Sequence, residues 1–299
     1  GGQLGRMFAQ AAASMGYKVK VLEKGECPAS EVSAFHIDAT YTDKKAIEEL
    51  RQTTAAVTTE FENVPAEVLS ALAADGACVT APSSHAVAIA QDRIDEKTFL
   101  ESVAGVPVAP HAALLSADDA DSLDASLFPA ILKTARMGYD GKGQRSVNSI
   151  AETKAAFAEL GNRVCILEKR LSLAKEVSVI VVRSLTGQTV TFPLFENVHR
   201  NGILATTVFP ARVSDEVSQK VRDYAARIAE TLQYKGVLCI EFFVLTDGTV
   251  SANEMAPRPH NSGHVTIEAA VTSQFEQQVR AMTGLPLGDP SALCHGVML

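Results

Sequence analysis

No run of about 18 apolar residues occurs in the 299-residue chain, so a membrane-spanning helix is not expected. Paired cysteines are also missing. Cys27, Cys78, Cys165, Cys239 and Cys294 are widely spaced and form no CxxC motif. Three of them lie inside apolar strand-like runs, so buried free thiols in a reducing cytoplasm are expected. Positive charge is in deficit: 27 Lys and Arg stand against 35 Asp and Glu, a net −8. That balance argues against a nucleic-acid partner, and any anionic substrate must meet a local basic patch. No signal peptide is recognisable, and no methionine opens the chain, which reads as trimmed at its start. What remains is an ordinary soluble composition, 46% hydrophobic, at a length that predicts two or three domains.

Residues 236–264, GVLCIEFFVLTDGTVSANEMAPRPHNSGH, carry the sharpest chemical signal. Asp247-Gly248 is a hairpin signal between apolar strand-like runs. Folding about a two-residue turn there sets Glu241 directly opposite Glu254, with Cβ atoms roughly 4.5–5.5 Å apart. Like charges so placed are destabilising unless a cation lies between them. Hard oxygen ligands suit Mg²⁺, which is usually held by one or two carboxylates plus substrate phosphates. The alternative is a pair of solvated glutamates on an open edge. Ile240, Phe242 and Val244 on one face, and Cys239, Phe243 and Leu245 on the other, predict that both faces are covered and that the carboxylates line a cleft. Arg258, His260, Asn261 and His264 follow closely, on a backbone stiffened by Pro257 and Pro259. Such a turn suits an anion, which Arg258 can grip bidentately.

Upstream, the pattern is α/β. A helix is predicted over 3–15, strands over 17–23 and 55–59, a helix from Pro65 to about Ala74, and a short strand at 78–80. That alternation implies a parallel sheet. The opening GGQLGRM reads as the end of a glycine-rich turn entering a helix, where free N–H groups bind anions. A dinucleotide-binding reading would use Glu23 as its acidic residue, but the chemistry lies elsewhere. Pro107, Pro110 and the polar run 116–126 separate this region from the next. There a strand carrying Lys133 enters a loop with Gly138, Gly141 and Gly143 and the cations Arg136, Lys142 and Arg145. Glycines admit phosphates close to the backbone and the cations neutralise them, although the spacing is not that of a Walker A loop. A flexible hairpin is the alternative. A strand over 163–168 ends at Glu168-Lys169, and Glu176 opens another apolar run; a strand end of this kind suits an adenine edge and ribose hydroxyls. His36, His85 and His111 stand alone, without metal-ligand spacing. Helices are predicted over 214–231 and 271–282, the second suited to a core or a subunit interface.

GGQLGRM, QDRIDEK, ARMGYDGKGQ, FENVHRNGIL and NEMAPRPHNSGH, in this order and spacing, resemble the ATP-grasp superfamily. Within it they resemble the N5-carboxyaminoimidazole ribonucleotide synthetases of purine biosynthesis. The resemblance covers essentially the whole chain. It implies an α/β (α+β) ATP-grasp fold in three parts: a Rossmann-like pre-ATP-grasp domain over 1–92, an ATP-grasp domain over 93–280 with a lid at about 107–170, and the start of a truncated C-terminal subdomain over 281–299. It implies ATP-dependent carboxylation of 5-aminoimidazole ribonucleotide by bicarbonate through carboxyphosphate, with Mg²⁺ on Glu241 and Glu254. Arg93 and Lys133 are implied at the ATP phosphates, under a closing loop of Gly138, Tyr139, Asp140, Gly141, Lys142, Gly143 and Gln144. Glu168, Lys169 and Leu171 are implied at the adenine and Glu176 at the ribose, with His199 and Asn253 completing the nucleotide site. Gln3, Leu4, Glu60, Tyr139, Asp140, Arg258 and His260 are implied near the ribonucleotide, with Lys133, Asp140 and Arg258 as catalytic residues. A cytoplasmic homodimer is implied too. One departure is Ala256, where many ATP-grasp ligases carry Asn, which leaves a third metal contact unassigned. The rivals are a formate-dependent glycinamide ribonucleotide transformylase, a biotin carboxylase and a non-catalytic nucleotide-binding module.

Overall fold

The computed structural model describes residues 1–76, 78–138 and 143–299. The first third alternates helix and strand: α1 (Gln3–Ser14), β1 (Lys20–Glu23), β2 (Phe35–Asp38), α2 (Lys44–Thr53), β3 (Ala56–Val57), α3 (Ala66–Ala73), β4 (Val79–Thr80) and α4 (Ser84–Ala90). Side chains cap the helices where the sequence offers them. Asp43 accepts from the N–H groups of Lys45 and Ala46, and Ser83 from that of Ala86. The strands are parallel, as expected, but they form two separate pairs rather than one sheet: β1 with β2, and β3 with β4. A cavity of about 600 Å³ is lined by Leu4, Phe8, Val21, Leu22, Val57 and Leu72 among others, from both pairs and the helices beside them.

Asp92 caps α5 (Arg93–Thr98), which leads into a four-stranded antiparallel sheet. Its strands are β5 (His111–Leu114), β6 (Ala130–Thr134), β7 (Gln144–Val147) and β8 (Cys165–Lys169), in the order β5-β8-β6-β7. Helix α6 (Ile150–Glu159) covers one face, burying Ala156 and Phe157 against Leu132, Val147 and Leu167. The polar run 116–126 is ordered by a capping box between Ser116 and Asp119, followed by two short 3-10 turns.

The largest sheet takes β9 (Leu173–Arg183), β10 (Thr189–Thr191), β11 (Phe195–Arg200), β12 (Ile203–Phe209), β13 (Gly236–Leu245), β14 (Val250–Ala256) and β15 (Gly296–Met298). The order is β14-β13-β9-β11-β12-β15, with β10 also on β9. Helix α7 (Asp215–Thr231) packs on one face. Its Val221, Ala225 and Ile228 meet Leu238, Ile240, Phe242 and Val244 of β13. The other face of β13 starts in a second core, with Val237 and Cys239 beside Phe195 and Ala281. From Glu241 onward it opens to a cleft. Two further helices, α8 (Thr266–Ala269) and α9 (Gln274–Thr283), follow β14. Helix α9 starts three residues later than the sequence predicts, because Ser273 caps it through the Glu276 N–H. It is a core helix: Phe275, Val279 and Met282 are buried, and so are Gln274, Gln277 and Gln278.

Candidate active site

The β13–β14 hairpin does not close on two residues. The Leu245 N–H donates to the Thr249 carbonyl at 2.8 Å, so Thr246, Asp247 and Gly248 form the loop. Gly248 takes the left-handed conformation such loops require, with φ 84°. The extra residue slips the expected register by one: Val244 pairs with Val250 and Phe242 with Ala252. An uncorrected slip would place Asn253 opposite Glu241 and turn Glu254 to the other face. A bulge undoes it. Ile240 pairs with Met255, so Glu241 alone stands against both Asn253 and Glu254. The two carboxylates therefore share a face, as the sequence implied, but by a different route, and Asn253 joins them. Its Nδ2 lies 3.4 Å from Glu241 Oε2.

Helix α5 holds this bulge from behind. Arg93 Nη1 donates to Glu254 Oε2 at 2.7 Å, the Met255 N–H donates to Glu96 Oε1 at 2.6 Å, and Lys97 Nζ donates to the Asn253 carbonyl. Glu96 and Lys97 are only 2% and 1% exposed, a depth at which charged side chains need partners. Lys97 Nζ also lies 3.4 Å from Glu168 Oε2, and Lys133 Nζ lies 3.1 Å from Glu168 Oε1. Strands β6 and β8 thus bring Lys133 and Glu168 to the same charge network as β14.

The carboxylates titrate apart. Burial pushes Glu241 up, and the Glu254 charge adds to this, to about 7. Burial also opposes ionisation of Glu254, but Arg93, with help from Lys133 and Lys97, overcomes it and holds Glu254 at about 2. Glu96, buried and near Glu254, rises to about 8. Burial lowers Lys133, against the pull of Glu168. His199 Nδ1 lies 2.7 Å from Glu176 Oε2, and that hydrogen bond raises its pKa against burial. Burial and the Arg258 charge lower His260 to about 3, so its ring is neutral.

Past the bulge, Arg258 Nε donates to Glu62 Oε2 at 2.6 Å and its Nη1 to the Pro259 carbonyl at 3.0 Å. The expected anion-gripping arginine is thus already paired with a carboxylate of the TEFENVP segment. The glycine turn at the start of α1 is likewise filled. Its Gly2 and Gly5 N–H groups donate to the Glu60 carboxylate, which lies beside Gln3 and Leu4. Lys169 ends β8, Leu171 lies in the β8–β9 connection and Glu176 stands on β9, all half-buried, while Gly138 and Gly143 lie between β6 and β7 and Gln144 starts β7. Tyr139, Asp140, Gly141 and Lys142 lie outside the described residues.

The donor set fits Mg²⁺. Glu241 and Glu254 supply carboxylate oxygens, and Asn253 Oδ1 is buried without a hydrogen-bond partner, an orphan acceptor at the position a cation would satisfy. Among the described residues, no group of three or more His, Cys, Asp or Glu side chains forms a cation cage. Two carboxylates with phosphate oxygens is the pattern Mg²⁺ ordinarily takes.

The ATP-grasp domain family model matches residues 99–275, and the ribonucleotide synthetase preATP-grasp domain model matches residues 1–91. The N5-carboxyaminoimidazole ribonucleotide synthase of Brucella melitensis biotype 1 is 46% identical over 97% of this chain and 80% of its own length. The chain belongs to this family. Similar solved structures include the Staphylococcus aureus N5-carboxyaminoimidazole synthetase complexed with ADP, 38% identical with a TM-score of 0.92 over 100% of this chain and 80% of that one. The Aspergillus clavatus N5-carboxyaminoimidazole synthase, in complex with ADP and 5-aminoimidazole ribonucleotide, is 31% identical with a TM-score of 0.92, over 100% of this chain and 79% of that one. As a synthase of this family the chain is an ATP-grasp ligase. Several residues that support the site escaped the sequence reading: Glu62, Glu96, Lys97, Ser178, Ser262 and Gln274. One signal was available. Arg93, Glu96 and Lys97 stand at i, i+3 and i+4 in QDRIDEK, so a helix there turns all three to one side.

Proposed function

We propose that this ligase carboxylates 5-aminoimidazole ribonucleotide with bicarbonate and ATP, giving N5-carboxyaminoimidazole ribonucleotide, ADP and phosphate. The observation that carries the reading is the bulge that sets Glu241, Asn253 and Glu254 together beside Arg93, Lys133 and Glu168. A bicarbonate oxygen attacks the γ-phosphorus and the β–γ bridging oxygen leaves with ADP. The exocyclic amine of the ribonucleotide then forms its bond to the carboxyl carbon of carboxyphosphate, or to CO₂ released from it, as the C–O bond to phosphate breaks and the departing phosphate takes up the amine proton. The protein's part is positioning and charge neutralisation. Lys133 and Arg93 neutralise phosphate oxygens. Glu168, Lys169 and Leu171 line the adenine, and Glu176 with His199 holds the ribose. Glu241, Glu254 and Asn253 Oδ1 would hold Mg²⁺, which supplies Lewis-acid neutralisation of the phosphates.

Arg258 and His260 face the bicarbonate and ribonucleotide end, near Gln3, Leu4 and Glu60. By the family resemblance, Tyr139 and Asp140 are assigned to that end and residues 138–144 to the cover that would keep water from carboxyphosphate. We assign 1–92 to the pre-ATP-grasp domain, 93–280 to the ATP-grasp domain with its lid at about 107–170, and 281–299 to the start of a further subdomain. The two matched regions and the separate four-stranded sheet support that division. A cytoplasmic homodimer is part of the proposal, on the family resemblance; the five free cysteines suit a reducing compartment.

The test is phosphate release from Mg-ATP and bicarbonate, with and without 5-aminoimidazole ribonucleotide. Strong stimulation by the ribonucleotide is expected. Activity on glycinamide ribonucleotide with formate instead would overturn the assignment.

A further inference from the structure

A buried row of polar side chains runs through the largest sheet and ends on His260. Thr207 Oγ1 donates to Asn197 Oδ1 at 3.0 Å, and Asn197 Nδ2 donates to Ser178 Oγ at 2.9 Å. Ser178 Oγ lies 2.9 Å from Ser262 Oγ, which lies 2.8 Å from His260 Nδ1. Thr207, Ser178 and Ser262 are fully buried and Asn197 nearly so, which leaves each little choice of partner.

The direction of every bond in the row is fixed from its His260 end, where a backbone donor leaves Nδ1 the acceptor. Ser262 Oγ therefore gives its proton to Nδ1 and must accept from Ser178 Oγ, which in turn accepts from the Asn197 amide. The Ser262 backbone N–H, which can only donate, also meets Nδ1, at 3.3 Å, so the His260 ring caps the 3-10 turn that starts at Asn261. Two donors aimed at Nδ1 leave no room for a proton on it. The ring proton then sits on Nε2, 3.4 Å from Glu241 Oε1. Gln274 fixes the backbone beneath the ring: its Oε1 accepts the His260 N–H at 2.9 Å and its Nε2 donates to the His260 carbonyl at 2.7 Å.

We propose that Asn197, Ser178 and Ser262 are positioning residues that lock His260 as the Nε2–H tautomer, so that the ring enters the cleft as a hydrogen-bond donor to an oxyanion rather than as a proton acceptor. The ligand class is a carboxylate-like anion. Its identity as bicarbonate or carboxyphosphate rests on the function proposed above, but the tautomer does not. On this assignment His260 takes no proton from the ribonucleotide amine.

The test is ¹⁵N NMR of the histidine-labelled protein without substrates, with the His260 signal assigned by its loss in His260→Gln. Wild type is expected to show a protonated Nε2 and a bare Nδ1. A proton on Nδ1 overturns the proposal whatever the enzyme's reaction proves to be. Ser262→Ala keeps the backbone donor but removes the nearer one. It is expected to admit the Nδ1–H tautomer and to lower kcat roughly tenfold, with KM for ATP unchanged. Ser262→Thr is expected to restore both readouts. An unchanged tautomer and kcat in Ser262→Ala, or a Thr variant that rescues neither, counts against the relay. If Ser262→Ala does not fold, the wild-type spectrum still decides.

Discussion

Glu241 and Glu254 are chemically identical side chains that acquire opposite acid–base characters a few ångströms apart. Arg93 stands on Glu254 alone, so Glu254 stays ionised while Glu241 carries the penalty of burial and of its neighbour's charge. A cation at this site needs both ionised, so binding must expel the Glu241 proton. The apparent Mg²⁺ affinity of the protein should therefore strengthen as pH rises through about 7, where Glu241 titrates, and level off above it; calorimetric titration at pH 6, 7 and 8 would check this. Glu254→Gln should abolish phosphate release and leave the fold intact, because it removes a ligand charge while relieving the carboxylate repulsion. Near-normal turnover in that variant would rule out a metal role for the pair.

At the scale of elements, the hairpin shows what the sequence reveals and what it hides. The strand β13, its covered face of Ile240, Phe242 and Val244, and a turn at Asp247-Gly248 were legible, because side-chain period and turn chemistry are local properties; its other face, expected to be covered too, is buried at Cys239 but only half-buried at Phe243 and Leu245. The three-residue loop and its compensating bulge were not. Each alone shifts register by one, and no local signal says that Asn253 and Glu254 will share one partner. What holds the bulge lies far away in sequence: Glu96 and Lys97 on α5. Lys97→Met should leave the Asn253 carbonyl without its partner and Glu168 short of a cation, lowering stability by about 1–3 kcal/mol in denaturant unfolding. Glu96 has a pH consequence. Its folded pKa of about 8 lies above the ordinary 4.5, so the native state holds a proton that the unfolded chain gives up. That contribution is complete below about pH 4.5 and is lost as pH rises through 8, with a slope on the order of 1.4 kcal/mol per unit. Glu96→Gln keeps the acceptor for the Met255 N–H, and its denaturation midpoint should fall less between pH 5 and 8 than that of wild type.

For the whole molecule, the sequence announced its regions through motif order, yet it did not announce how they are fastened. The helix predicted over 271–282 suited a core or a subunit interface, and nothing in its sequence marked its glutamines as fasteners. In the structure Gln278 is buried and joins two regions: its Oε1 accepts the Val237 N–H at 2.6 Å, and its Nε2 donates to Thr58 Oγ1 at 3.0 Å and the Ala81 carbonyl at 2.9 Å. Gln278→Leu should strand buried backbone groups on both sides, at about 1–3 kcal/mol each, and lower the unfolding midpoint without altering the residues of the cleft. Glu62 makes a second fastening, on Arg258. The consequence bears on modularity. A seam in sequence description falls near residue 91, but it is not a place where the molecule can be divided. A fragment cut there would carry an amide with nothing to read and an arginine without its counter-charge, so swapping the first third between homologues should succeed only when residues 58–62 and 258–278 travel together.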